Sequence, residues 1–137
     1  MVAQVSNHNL LDSEQLPGGG PGSVRGYYTD TALGSEGELV SMEIRGPSFS
    51  PLGLLGIHPP VKDEAQLGVF WDYANLFQVQ PIPDQPDHVD LASVGPDLSY
   101  ALGRFAGVDA SLGWQLRPPP GTTKTGAFAQ VSLVAGF

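Results

Sequence analysis

The sequence predicts an all-β protein built from the strands of a transmembrane antiparallel β-barrel. Eighteen glycines, thirteen prolines and only 15% charged residues in 137 positions disfavour helices. Apolar residues alternate with small or polar ones, which is the period of a β-strand. Several of these runs reach the roughly 9 to 11 residues with which a tilted strand crosses a bilayer. Charged residues concentrate between the runs, as they do in the loops of a barrel.

Composition also narrows the function. A net charge of −8 with six scattered basic residues argues against a nucleic-acid surface, because phosphate groups require clustered cations. The absence of cysteine excludes disulfides and thiolate metal sites. No apolar run approaches the roughly 18 to 20 residues of a membrane-spanning helix, so a passage through a membrane must use strands.

The chain begins with a weakly alternating segment, residues 1–14, which predicts the end of a strand. A loop is predicted over residues 15–37. Between residues 16 and 28 it holds five glycines, two prolines and a single charge, Arg25. Glycines let the backbone take positive φ repeatedly, whereas prolines stiffen its path. The loop does not fit a phosphate-binding loop, which needs a strand before it and a helix after it.

About five further strands are predicted over residues 38–137, in the segments 39–45, 65–77, 91–102, 105–116 and 127–137. Each has an apolar side and a small or polar side, and Asp72 lies on the polar side of its strand. The predicted apolar rows are Val40, Met42, Ile44; Leu67, Val69, Trp71, Tyr73; Ala92, Val94, Leu98, Tyr100, Leu102; Ala106, Val108, Ala110, Leu112, Trp114, Leu116; and Ala129, Val131, Leu133, Ala135, Phe137. Aromatic residues near strand ends, Tyr73, Tyr100, Trp114 and Phe137, suit the two membrane interfaces.

The connections follow from turn chemistry. Prolines in residues 46–60 are expected to end any strand pairing there, and Gly103-Arg104 is predicted to be a two-residue hairpin turn. Pro96 is expected to mark a bulge or a lost hydrogen bond. The acidic loop 81–90 could hold a hard cation, but a solvated loop is favoured because prolines prevent its wrapping around an ion. Its candidate ligands are Asp84, Asp87, His88 and Asp90.

Two motifs resemble a known family. The tetrad Val24-Arg25-Gly26-Tyr27 is similar to the motif on the inward-folding loop of two-partner-secretion transporters. These are the haemolysin activation/secretion proteins (ShlB/FhaC/HecB type) of the Omp85 superfamily. Downstream, Phe70-Trp-Asp72-Tyr-Ala74 resembles their F-x-D-x-G pattern, with Ala74 in place of the final glycine. The resemblance spans about residues 4–137 and implies that Arg25 reaches Asp72 inside the barrel.

The resemblance implies translocation of a secreted exoprotein, of haemolysin or adhesin type, across the bacterial outer membrane without a cofactor. Outer-membrane lipids and the barrel-assembly machinery would be further partners, and Phe137 would be the assembly signal. The abrupt start, without a signal peptide, leads us to expect the C-terminal part of a barrel that lacks the periplasmic POTRA domains and early strands. A barrel-assembly insertase, which shares the loop motif, is the alternative within the superfamily.

Two other classes remain as alternatives. A secreted β-sandwich could bind carbohydrate through Trp71 and Trp114, but it would carry charged residues on its outer faces. An enzyme is not expected, and we predict no catalytic or metal-binding residues. The carboxylate pairs Asp63/Glu64 and Glu36/Glu38 suit turns and strand edges, and His8, His58 and His88 lie too far apart in sequence for a zinc motif.

Overall fold

The computed structural model describes residues 1–57, 61–80 and 86–136. Eight strands and one short helix follow one another in these residues. They are β1 (Val2–Gln4), β2 (Leu16–Gly18), β3 (Ala32–Gly34), β4 (Glu36–Arg45), α1 (Pro51–Leu54), β5 (Asp63–Phe77), β6 (His88–Leu102), β7 (Ala106–Gln115) and β8 (Ala127–Ala135). Across this part of the chain, no helix has the length and apolar character that a membrane-spanning helix needs. The prediction of an all-β fold is confirmed.

Six strands form one antiparallel sheet in the order β1-β4-β5-β6-β7-β8. From β4 onwards each strand pairs antiparallel with the next one along the chain, so this part of the sheet is a meander. The central strands β5 and β6 are 15 residues long and pair along their whole length, from Asp63 opposite Leu102 to Phe77 opposite His88. The sheet is open, with β1 and β8 at its edges.

The two faces of the sheet differ in chemistry because side chains alternate along every strand. One face, here called the apolar face, carries the rows that the alternation predicts: Trp71 of β5 lies between Met42 and Val94 of its neighbours. Many of its large side chains are exposed, with 81% of Ile44 and 75% of Leu133 accessible. The opposite face, the loop face, carries mainly small and polar residues, together with a few buried apolar ones, and is covered by the segment between β1 and β4.

That covering segment is more ordered than the sequence predicts. Its ends pair as the two-stranded sheet β2-β3, with Leu16 opposite Gly34, so the predicted loop 15–37 closes on itself. The long strand β4 already begins at Glu36. A hydrophobic cluster joins this segment to β5 and β6, and its buried members are Leu16, Val24, Tyr27, Ala32, Ala74, Leu76 and Leu91. The segment therefore packs as a structured lobe on the sheet.

The connection after β4 agrees only in part with the prediction. The regular pairing with β5 ends at Arg45, before Pro47, but Phe49 still forms an isolated bridge with Ala65. The helix α1 then begins at Pro51, where a missing N–H is tolerated. The Ser50 side chain caps it by accepting from the Gly53 N–H at 2.9 Å. Asp63 accepts from the Ser50 hydroxyl and the Leu52 N–H, so this carboxylate fixes a helix start.

The β6-β7 hairpin also differs in detail. Its connection has three residues, 103–105, because Leu102 pairs with Ala106 and the Phe105 N–H donates to the Leu102 carbonyl. Near Pro96 the β6-β7 pairing is interrupted between Val94 and Asp97, and the register is the same on both sides. The sequence predicted either a bulge or a loss of pairing at Pro96, and the structure shows the loss of pairing.

Candidate functional site

Arg25 and Asp72 form a forked ion pair on the loop face. The Arg25 Nε donates to Asp72 Oδ2 at 2.8 Å and Nη2 donates to Oδ1 at 3.0 Å. The Arg25 backbone N–H also donates to Oδ2, at 3.1 Å. Only 1% of the Asp72 side chain and 14% of the Arg25 side chain are exposed. A bidentate, buried pair of this kind fixes both distance and orientation.

Three further side chains complete the surroundings of Arg25. The Ser41 hydroxyl donates to Asp72 Oδ1 at 2.6 Å, and Glu43 Oε2 accepts from Arg25 Nη1 at 2.7 Å. The guanidinium also lies 3.7 Å from the centre of the Phe70 ring, a cation–π contact. Alternation places all three on the loop face of β4 and β5. The arginine thus has partners on two strands of the sheet.

The electrostatics favour a charged arginine. Burial lowers the pKa of Arg25, but hydrogen bonds and charge attraction from Asp72 and Glu43 outweigh it and leave the pKa above its ordinary value. The charge network continues sideways, because Glu43 also contacts Arg45 and Arg45 Nη2 lies 3.5 Å from Asp97 Oδ2. It therefore links β4, β5 and β6.

Tyr27 anchors the same loop at a second point. Its ring is fully buried, and its hydroxyl lies 2.6 Å from the Arg117 carbonyl and 2.8 Å from the Ala92 carbonyl. The Ala92 N–H donates to this hydroxyl at 3.3 Å. Burial raises the pKa of Tyr27, and the hydrogen bonds from the backbone offset part of that rise. The phenol therefore stays neutral at the β6-β7 seam, the place where Ala92 of β6 lies beside Arg117, just after the end of β7.

Val24 and Gly26 allow the two anchors of the loop, Arg25 and Tyr27, to reach different strands. Val24 is fully buried in the hydrophobic cluster, next in sequence to the buried arginine. Gly26 has a φ of +90°, which L side chains rarely adopt, and a Cβ there would come within 3.0 Å of the Gly113 backbone. This turn sends Arg25 towards β5 and Tyr27 towards the β6-β7 seam.

The structure brings together Val24, Arg25, Gly26, Tyr27, Phe70 and Asp72, the six predicted residues of the loop motif and its partner. Ala74, which stands where the resembling family has glycine, is fully buried in the cluster beside them. Three other predictions, those for Phe137, Asp84 and His58, lie outside the described residues. His88 begins β6, where it stacks on Phe77 and contacts Asn75. In the ranges that the structure covers, no group of three or more acidic, histidine or cysteine residues could hold a metal.

Sequence reasoning missed several partners of the loop. Alternation places Ser41 and Glu43 on the polar side of β4 but does not connect them with Arg25, because it leaves the register of β4 against β5 open. Ser41 lies directly opposite Asp72 in that register. Gln115 and Gln130, whose side-chain amides donate to the loop carbonyls of Gly26 and Tyr27, gave no signal in the sequence beyond their alternation.

Comparison with known protein families gives a match that includes the loop motif. The profile of the family described as haemolysin secretion/activation protein ShlB/FhaC/HecB matches residues 1–76. The match covers more than half of the chain and includes β1 to β4, nearly all of β5, and both Arg25 and Asp72. No curated protein and no solved structure matches the chain. The chain therefore belongs to the ShlB/FhaC/HecB family of the Omp85 superfamily, the bacterial outer-membrane transporters of two-partner secretion.

Proposed function

We propose that residues 1–137 form part of the barrel wall of such a transporter and help to translocate its exoprotein partner. In this arrangement the apolar face contacts outer-membrane lipid and the loop face lines the lumen. The chemistry of the two faces supports this orientation: exposed Leu, Val, Ile and Met side chains on one, and Ser, Gly, Asp and Gln on the other. Bacterial barrels need at least about eight strands, so further strands must close this six-stranded sheet.

The observation that carries the proposal is the anchored loop. A charged arginine is held by a buried carboxylate on the face that would line the pore, where a buried charge requires a partner. A loop fixed there determines the free cross-section available to an unfolded polypeptide. Arg25 and the residues around it, Asp72, Ser41 and Glu43, would thus set the shape of the passage. Translocation through it would proceed without nucleotide hydrolysis.

Deleting the gene in the bacterium that produces the protein tests this function. We expect one large exoprotein to disappear from the culture supernatant and to return when the gene is restored on a plasmid. Mass spectrometry of supernatant and outer-membrane fractions identifies this exoprotein from its peptides. An unchanged supernatant together with a general loss of barrel proteins from the outer membrane would favour the insertase alternative and overturn the proposal.

Charge substitutions on adjacent residues of β8 test the lipid contact. Leu133 lies on the apolar face and Ser132 on the loop face, and both are exposed. Leu133→Arg should reduce the amount of heat-modifiable barrel in outer-membrane fractions, since an arginine facing lipid costs up to about 2 to 4 kcal/mol, the value at the bilayer midplane. Ser132→Arg is the matched control and should insert normally. Equal insertion of the two variants would contradict the assignment of the faces.

A further inference from the structure

We infer that Gly113 and Gln115 of β7 form a second docking site for the loop and act as positioning residues for Arg25. Both lie outside the residues that the family profile matches. Gly26, the residue after Arg25, lies against both of them. The inference rests on the proposed function only in so far as loop position matters for secretion.

Gly113 provides the space that the loop requires. A Cβ built on Gly113 would lie 2.5 Å from the Gly26 Cα and 2.7 Å from the Gly26 N. Real Cβ atoms do not approach backbone so closely, so any side chain at this position would lift the loop from β7. Gly113 is buried, although it lies on the loop face of a strand whose other small residues there remain partly exposed. Glycine in a strand is typical where another backbone approaches closely.

Gln115 joins the loop to the sheet through both the donor and the acceptor of its side-chain amide. Its Nε2 donates to the Gly26 carbonyl at 2.8 Å, and its Oε1 accepts from the Gly126 N–H at 2.9 Å. The second bond ties the side chain to the residue just before β8, which fixes the amide orientation. A glutamate would keep the acceptor for Gly126 but would lose the donor to the loop.

Together these contacts hold the loop tip from two directions. The Arg25 N–H donates to Asp72 on β5, and the carbonyl of the following residue, Gly26, accepts from Gln115 on β7. The Arg25-Gly26 dipeptide is therefore held at both ends across the width of β6. Weakening the β7 contact should release the dipeptide without removing any atom of the Arg25-Asp72 pair.

Trypsin reports the release directly, since it cleaves after arginine and the docked Arg25 side chain is only 14% exposed. The complete transporter, purified in detergent, is treated with trypsin, and the fragment that begins at Gly26 is quantified by mass spectrometry. We expect Gln115→Glu to raise the initial rate of cleavage after Arg25 about tenfold, the effect of losing a partly buried hydrogen bond and leaving its acceptor unpaired. Gly113→Ala should raise it at least as much.

Gln66→Glu is the matched control, because Gln66 donates to the Gly46 carbonyl at 2.9 Å, away from the loop. Trypsin should cleave this variant after Arg25 at the wild-type rate. Heat modifiability shows that each variant is folded, and if Gly113→Ala fails to fold, Gln115→Glu decides. Wild-type cleavage in a folded Gln115→Glu barrel would overturn the inference. Proteolysis measures the position of the loop in purified protein and does not depend on secretion. A failure of this inference can therefore be distinguished from a failure of the proposed secretion function.

Discussion

Arg25→Ala is expected to lower exoprotein secretion by about tenfold or more and to destabilise the folded barrel. Removing the guanidinium leaves the Asp72 carboxylate, with 1% of its side chain exposed, without a counter-charge. Breaking a buried pair by removing one partner costs about 3 to 5 kcal/mol. Secretion is measured by quantitative immunoblot of supernatants at matched transporter levels, and stability by the temperature midpoint of heat modifiability.

Two further variants make this result specific. Arg45→Ala also removes an arginine bound to Glu43, but 43% of that side chain is exposed, so we expect little change. The charge swap Arg25→Asp with Asp72→Arg should restore secretion only in part, because Ser41 and the residue 25 N–H also donate to the Asp72 carboxylate. Strict additivity of the two single changes would show that the pair does not act as a unit.

Tyr27→Ala is expected to detach the loop from the β6-β7 seam and to abolish most secretion. The ring is fully buried in the cluster that joins the loop to the sheet. Truncating a large buried aromatic residue to alanine costs about 3 to 5 kcal/mol. The loss should appear as a lower temperature midpoint of heat modifiability and as faster trypsin cleavage after Arg25, measured on the purified complete transporter.

Tyr27→Phe separates packing from hydrogen bonding. It keeps the ring but leaves the Ala92 N–H and the Arg117 carbonyl without the hydroxyl, at a cost of about 1 to 3 kcal/mol. We therefore expect an intermediate phenotype. Tyr28→Ala is the control, since 70% of Tyr28 is exposed and the substitution should have little effect. If Tyr27→Ala secretes as well as Tyr28→Ala, Tyr27 is not an anchor of the loop.

Alternation in the sequence was sufficient to assign the faces of the strands. The period of two places Trp71 on the apolar side and Asp72 on the other, and the structure has the same division. The start of β4 and the pairing of β2 with β3 were not predicted, because short pairings in a glycine-rich segment have no periodic signal. Pro96 illustrates the intermediate case: its chemistry predicts a disturbance, but only the register distinguishes lost pairing from a bulge.

The sequence by itself determined the fold class, the faces of the long strands and, through its two motifs, the residues of the loop and of β5 that matter. Only the tertiary structure decided which residues surround them. Strand register places Ser41 opposite Asp72 and Glu43 within reach of Arg25. The path of the loop brings Gly26 against Gly113. A period of two fixes the direction in which a side chain points. It contains no information about which residue of a neighbouring strand, distant in sequence, will stand beside it.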